Sequence, residues 1–143
     1  MASHNSEMAN ARRHASEEFV MLAHEYKPEK HTDLIGWLVS EKLDGVRARY
    51  HKGKLYSRSK KVFPAPQFYL DKLEKKLKGI EADGELFIAP KKFQETVSIV
   101  RCAKEDRGWN KIRYIVFDVV ADGKYNDRTR PARMTLHHSC AEM

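Results

Sequence analysis

Cysteine is nearly missing from this chain of 143 residues: Cys102 and Cys140 are its only two. Two thiols cannot build a disulfide framework, and such sparing use fits a reducing compartment. Long apolar runs are missing too. Stretches such as Phe19–Ala23 end after five residues, where a membrane-spanning helix needs roughly 20, so no membrane partner is expected. The N-terminus lacks the heart of a secretory leader, a continuous apolar stretch of roughly 7–15 residues behind a basic start. Arg12-Arg13 runs instead into His-Ala-Ser-Glu-Glu, and Phe19–Ala23 is cut off by His24-Glu25. Glu7, Glu17 and Glu18 speak against a mitochondrial presequence, since such peptides avoid acids. An intracellular protein is expected, with nucleus, cytoplasm and organelle left open. No internal repeat is visible. What the chain does have is 41% hydrophobic and 10% aromatic residues, with two tryptophans, which argues against wholesale disorder. Its length suits one domain able to bury a real core.

The net charge is +7, and it is not spread evenly. Lys42 to Lys78 holds twelve lysines and arginines against three acids, a net of +9, while the remainder nets −2. The same segment contains Tyr50, Tyr56, Phe63, Phe68 and Tyr69. Basic residues interleaved with aromatics make an electrostatic footprint for a polyanion, a nucleotide or a nucleic acid. Lys72, Lys75, Lys76 and Lys78 read as a solvated helix face. Arg47, Arg49, Arg58, Lys60 and Lys61 read as the binding set.

The element pattern is α+β, with paired antiparallel strands and a few helices. Leu38-Val39, Val46, Ala48 and Tyr50 alternate with polar neighbours, and Leu55-Tyr56 follows Lys52-Gly53, the place of a hairpin turn. Strands are predicted near 37–42, 45–51 and 54–58. Pro64 and Pro66 introduce a helix with Leu70, Leu73 and Leu77 on one face and Gly79 as its stop. Ile80–Ile88 predicts a strand broken at Asp83-Gly84, and Phe93, Val97 and Val100 predict a helix of about three turns. The β-branched run Ile112–Val120 predicts a buried strand. Beyond Ala121 the apolar signal fades into a polar, loop-like stretch. The chain therefore reads as a flexible tail over 1–16, a folded part over 17–121 and an irregular tail over 122–143.

Four short motifs carry potential chemistry. In Glu41-Lys42-Leu43-Asp44-Gly45-Val46-Arg47 a lysine at a strand end neighbours a tight Asp-Gly turn and an arginine. Lysine is a poor nucleophile at its unperturbed pKa of about 10.4 and must lose its proton to attack. Desolvation, a neighbouring cation or a bound Mg²⁺ can supply that shift, with Asp44 able to organise metal-bound water. By itself Lys-x-Asp-Gly is also an ordinary turn. In Ser57-Arg58-Ser59-Lys60-Lys61, Arg58 can grip a sugar or phosphate bidentately and the lysines can meet a nucleic-acid backbone; the alternative is an exposed basic turn. Asp83-Gly84-Glu85-Leu86 puts two acids into an apolar strand, where they face solvent or bind something such as a sugar hydroxyl. Phe117 is either core or a platform on which a base can stack.

In this order and spacing, Lys42-x-Asp-Gly-x-Arg, Ser-Arg-Ser, Asp83-Gly84-Glu85-Leu86 and Phe117-Asp118 resemble the covalent nucleotidyltransferase superfamily of ATP-dependent DNA ligases, RNA ligases and mRNA capping enzymes. Gly36–Ala48 and Phe93–Arg101 look most like small ATP-dependent DNA ligases. The resemblance implies that 17–121 is the N-terminal part of an adenylation domain. The implied fold is that of the DNA ligase and capping-enzyme nucleotidyltransferases, α+β with antiparallel sheets and flanking helices, C-terminally truncated and without an OB-fold. By the same resemblance Lys42 attacks the α-phosphate of ATP, giving lysyl-AMP and pyrophosphate with Mg²⁺ as cofactor. AMP then passes to the 5′-phosphate of a nick in double-stranded DNA, and the 3′-hydroxyl displaces it, a reaction of DNA repair, replication and recombination. Glu41 is implied in nucleotide binding and Asp44 in positioning metal-bound water. Arg47 is implied to hold the ribose or a phosphate, Glu85 the ribose hydroxyl, and Phe117 the adenine ring. Arg58 is implied to hold the ribose or DNA phosphate, with Arg49, Lys60 and Lys61 along the DNA backbone.

Two motifs that follow the Phe-Asp strand in that family, a Glu-Gly pair and a Lys-x-Lys, do not occur in Asp122–Met143. The resemblance therefore implies a site cut before completion, with weak or no self-adenylylation. His137, His138 and Cys140 read as part of the tail rather than as a metal site, and no metal ligand is assigned. An RNA ligase or capping-type enzyme is the alternative within the superfamily. A catalytically dead nucleic-acid-binding fragment is the alternative outside it.

Overall fold

The computed structural model describes residues 19–30, 33–103 and 108–129. The chain divides between Lys42 and Leu43 into two compact units. The first has no helix or strand among its described residues and is held by local turns. The Lys30 N–H donates to the Lys27 carbonyl at 2.9 Å, and the Trp37 N–H to the Leu34 carbonyl at 3.0 Å. The Ile35 N–H donates to the Asp33 carboxylate at 2.9 Å. The strand predicted near 37–42 does not form. Leu38 and Val39 are adjacent rather than alternating, no described strand pairs with them, and Val39 is 96% exposed. The tail expected over 1–16 lies outside the described residues.

In the second unit, alternating sequence becomes a four-stranded antiparallel sheet of order β2-β1-β3-β4. β1 (Val46–His51) turns into β2 (Lys54–Tyr56) through Lys52 and Gly53. Both turn residues have positive φ, 47° and 75°, the two-residue geometry that matches strand twist. Helix α1 (Gln67–Leu77) starts after Pro66 and ends in a left-handed Lys78 ahead of Gly79, burying Tyr69, Leu73 and Leu77. β3 (Ala82–Phe87), α2 (Phe93–Arg101), a 3₁₀ turn (Trp109–Lys111) and β4 (Arg113–Val119) follow.

Period-two alternation sorts the sheet into an apolar and an ionic face. Ala48, Tyr50, Ala82, Leu86 and Tyr114 enter one core with Leu55, Leu73, Val100 and Trp109. Arg47 and Arg49 of β1 alternate with those core positions, opposite Glu85 and Asp83 of β3. The Tyr114 hydroxyl ties three strands together. It lies 2.9 Å from the carbonyls of both Ala48 and Ala82, donating to one at a time, and accepts the Tyr50 N–H at 3.2 Å. Burial holds its phenol far above the usual tyrosine range.

β4 breaks its own alternation. Gly84 of β3 pairs with Val116 but Asp83 pairs with Asp118, so Phe117 is an extra residue with no opposite number. A bulge of this kind bends the strand and re-aims a side chain. The irregularity expected at Asp83-Gly84 is thus real, but β3 runs through it unbroken, and the extra residue belongs to β4. The irregular tail expected from 122 differs too, since 125–129 form a short helical turn. Residues 130–143, with His137, His138 and Cys140, lie outside the described residues.

Candidate functional site

Two motif glycines exist because strands pass too close for a side chain. A methyl group on Gly45 would collide with the Leu86 carbonyl and come within 2.8 Å of the Glu85 side chain. One on Gly84 would lie 2.6 Å from the Ile115 carbonyl and 2.8 Å from the Tyr114 ring. The start of β1 is thereby pressed onto β3, and the Gly45 N–H donates to Glu85 Oε1 at 3.2 Å.

Arg47 projects from β1 onto the carboxylate of Asp83, with Nε to Oδ1 at 3.1 Å and Nη2 to Oδ2 at 2.6 Å. This bidentate hydrogen bond, with Asp83 almost fully buried, holds the arginine proton more tightly than usual. The same guanidinium stands 5.4 Å over the Phe117 ring, a cation–π distance. Phe117 is 38% exposed, on the strand but not in the core. The core reading of Phe117 does not hold. Asp118, buried beside it, is gripped by Arg128, whose Nε and Nη2 each lie 2.8 Å from a carboxylate oxygen.

The Ser57–Lys61 motif is a closed turn. The Ser57 N–H donates to the Lys61 carbonyl at 2.8 Å, the Lys60 N–H returns to Ser57, and the Lys61 N–H reaches the Ser57 hydroxyl at 3.1 Å. Exposed Arg58 is carried within it. Between this turn, the start of β1 and α2 lies an open cleft of about 820 Å³. Phe63, Pro64, Val97 and Val100 line it with Arg47, Arg58, Lys61 and Arg101, and among the described residues no carboxylate does. Arg101 was not singled out as a site residue by sequence reasoning; its only signal was its place at the end of the Phe93–Arg101 stretch.

Not every expected residue joins this group. Arg49 is turned to Glu81, Nη2 to Oε2 at 2.8 Å, and His51 Nδ1 lies 2.5 Å from the other oxygen. Burial opposes ionisation of Glu81, but hydrogen bonds from Arg49 and His51 outweigh it and lower its pKa. Lys60 does not line the cleft. Glu41 and Lys42 close the first unit and Asp44 is the second residue of the other, and all three are exposed. Among the described residues no three His, Cys, Asp or Glu side chains gather as a metal cage. Nor does any described helix have the length and apolarity to cross a membrane.

Fold and site together define an α+β protein with a cleft whose described charged residues are all cations, one of which, Arg47, also stands over the exposed Phe117 ring. The chain is 34% identical to a DNA ligase of Haemophilus influenzae over 118 residues, which cover 82% of this chain and 41% of that protein. It also matches a solved structure from a structure–function analysis of Lig E DNA ligases, described as binding DNA with a minimal scaffold. The TM-score is 0.70 at 29% identity, over 83% of this chain and 46% of that one. No protein-family model matches the chain. The resemblance to DNA ligases carried by the motifs therefore holds across most of this chain, which spans less than half the length of either relative.

Proposed function

We propose that this chain carries the nucleotide-receiving part of an ATP-dependent DNA ligase, forming lysyl-AMP on Lys42 and serving the sealing of nicked duplex DNA. The observation that carries the reading is Arg47, which is fixed by Asp83, stands over exposed Phe117, and lines a cleft whose described charged residues are all cations. Adenine stacks on Phe117, Glu85 accepts a ribose hydroxyl, and Arg47, fixed by Asp83, meets the ribose or a phosphate. Arg58, Lys61 and Arg101 hold phosphates of the triphosphate or of the DNA strand. Attack on a phosphoanhydride depends on positioning and charge neutralisation more than on covalent assistance, and this lining supplies the charge. Both carboxylate oxygens of Asp83 are taken by Arg47, and Glu85, which accepts the Gly45 N–H on one oxygen, is assigned to the ribose. Mg²⁺, which keeps several waters and binds through one or two carboxylates plus substrate phosphates, is therefore best served by exposed Asp44, and it supplies charge neutralisation at the phosphates when bound.

The test is incubation of the chain with α-labelled ATP and Mg²⁺. A weak covalent label that vanishes in Lys42→Ala is expected, with ATP binding retained in that variant. Label of equal strength in both proteins overturns the assignment of Lys42. Label from GTP in preference to ATP turns the reading toward a capping-type enzyme.

A further inference from the structure

The polar stretch after Ala121 folds back onto the end of β4. Arg128, already paired with Asp118, donates from Nη1 to the Gly123 carbonyl at 2.9 Å, and its guanidinium lies 5.5 Å over the Tyr125 ring. The Tyr125 hydroxyl donates to the backbone carbonyl of Phe117 at 2.7 Å, and the Thr129 hydroxyl caps the Tyr125 carbonyl at 2.6 Å.

These contacts meet the two liabilities that the bulge creates. Phe117 has no partner across the ladder, so its backbone polar groups need partners from elsewhere. Tyr125 supplies one. The bulge also sets Asp118 directly opposite Asp83, two buried carboxylates side by side, and like charges so placed repel. Arg47 neutralises the first and Arg128 the second. The hydrogen bond to Asp118 in turn makes Arg128 hold its proton more tightly than usual.

We propose that Tyr125 and Arg128 are positioning residues that clamp the β4 bulge and so hold the Phe117 ring ready for base stacking. The proposal rests on the reading of Phe117 as the adenine platform. Neither residue touches the base; both act through the backbone and the carboxylate that flank the ring.

The test compares ATP with inorganic tripolyphosphate, which has the charge but no base, as calorimetric titrants of the full chain. Phe117→Ala is expected to weaken ATP binding about tenfold, the usual scale for losing a base–aromatic stack. Tyr125→Phe removes one oxygen and Arg128→Lys keeps the charge but loses the bidentate grip, so both variants keep the fold. Each is expected to weaken ATP several-fold, to leave tripolyphosphate unchanged, and to add nothing on top of Phe117→Ala. Equal weakening of both titrants, or effects that add to Phe117→Ala, overturn the clamp while leaving the platform intact. If the unaltered chain binds ATP no better than tripolyphosphate and Phe117→Ala changes nothing, the adenine reading falls and takes the clamp with it.

Discussion

At the scale of single residues, the motif glycines are steric requirements set by neighbouring strands. Gly84→Ala drives a methyl group into the Ile115 carbonyl and the Tyr114 ring. Backbone cannot step aside cheaply, so a loss of about 3 kcal/mol is expected, at the upper end of overpacking costs. That corresponds to a fall of roughly 10–20 °C in melting temperature, and a thermal melt followed by circular dichroism checks it; an unshifted melt contradicts the close approach. The two acids around Gly84 likewise resolve a question that the linear sequence poses but cannot answer. Asp-Gly-Glu in an apolar strand must face solvent or bind something. Asp83 instead binds within the chain, to Arg47, and Glu85 to the Gly45 N–H. Which carboxylate is spent on structure depends on strand register, and register is a tertiary property.

At the scale of elements, the hairpin, α1, α2 and β4 were legible because each rests on local chemistry: a Lys-Gly turn, proline and glycine punctuation, i, i+4, i+7 spacing, and β-branched residues. The strand expected over 37–42 was not, because a strand exists only against a partner. The bulge was hidden for a different reason. A uniformly apolar run such as Tyr114–Phe117 conceals a change of face, since no polar residue marks the skipped beat before Asp118. Deleting Phe117 restores simple alternation, putting Val116 and Asp118 next to each other opposite Gly84 and Asp83. Such a chain is expected to melt at or above the temperature of the unaltered protein but to bind ATP no better than Phe117→Ala, as measured by calorimetry. A variant that unfolds instead shows that the extra residue carries stability as well as function. The clamp over 123–129 was missed because its partners, Asp118 and the Phe117 carbonyl, become neighbours only after the turn has formed.

At the scale of the whole molecule, the charge excess read from the sequence is divided between two uses. Arg47 and Arg49 lie on the ionic face of the sheet, bound to Asp83 and Glu81. Arg58, Lys61 and Arg101 line the cleft, with no acid in its walls among the described residues. Each phosphate contact contributes about 0.9 to the slope of log affinity against log salt for duplex DNA. Replacing Arg58, Lys61 and Arg101 together with alanine is therefore expected to flatten that slope by about 3, read by fluorescence anisotropy on nicked DNA at several salt concentrations. An unchanged slope places the DNA elsewhere on the molecule. The division after Lys42 has a further consequence, of a spectroscopic kind. One tryptophan falls in each unit: Trp37, 56% exposed, in the first, and Trp109, 1% exposed, in the second. The exposed indole is open to aqueous quenchers and the buried one is shielded from them, so the chain carries a separate optical reporter for each of its two units.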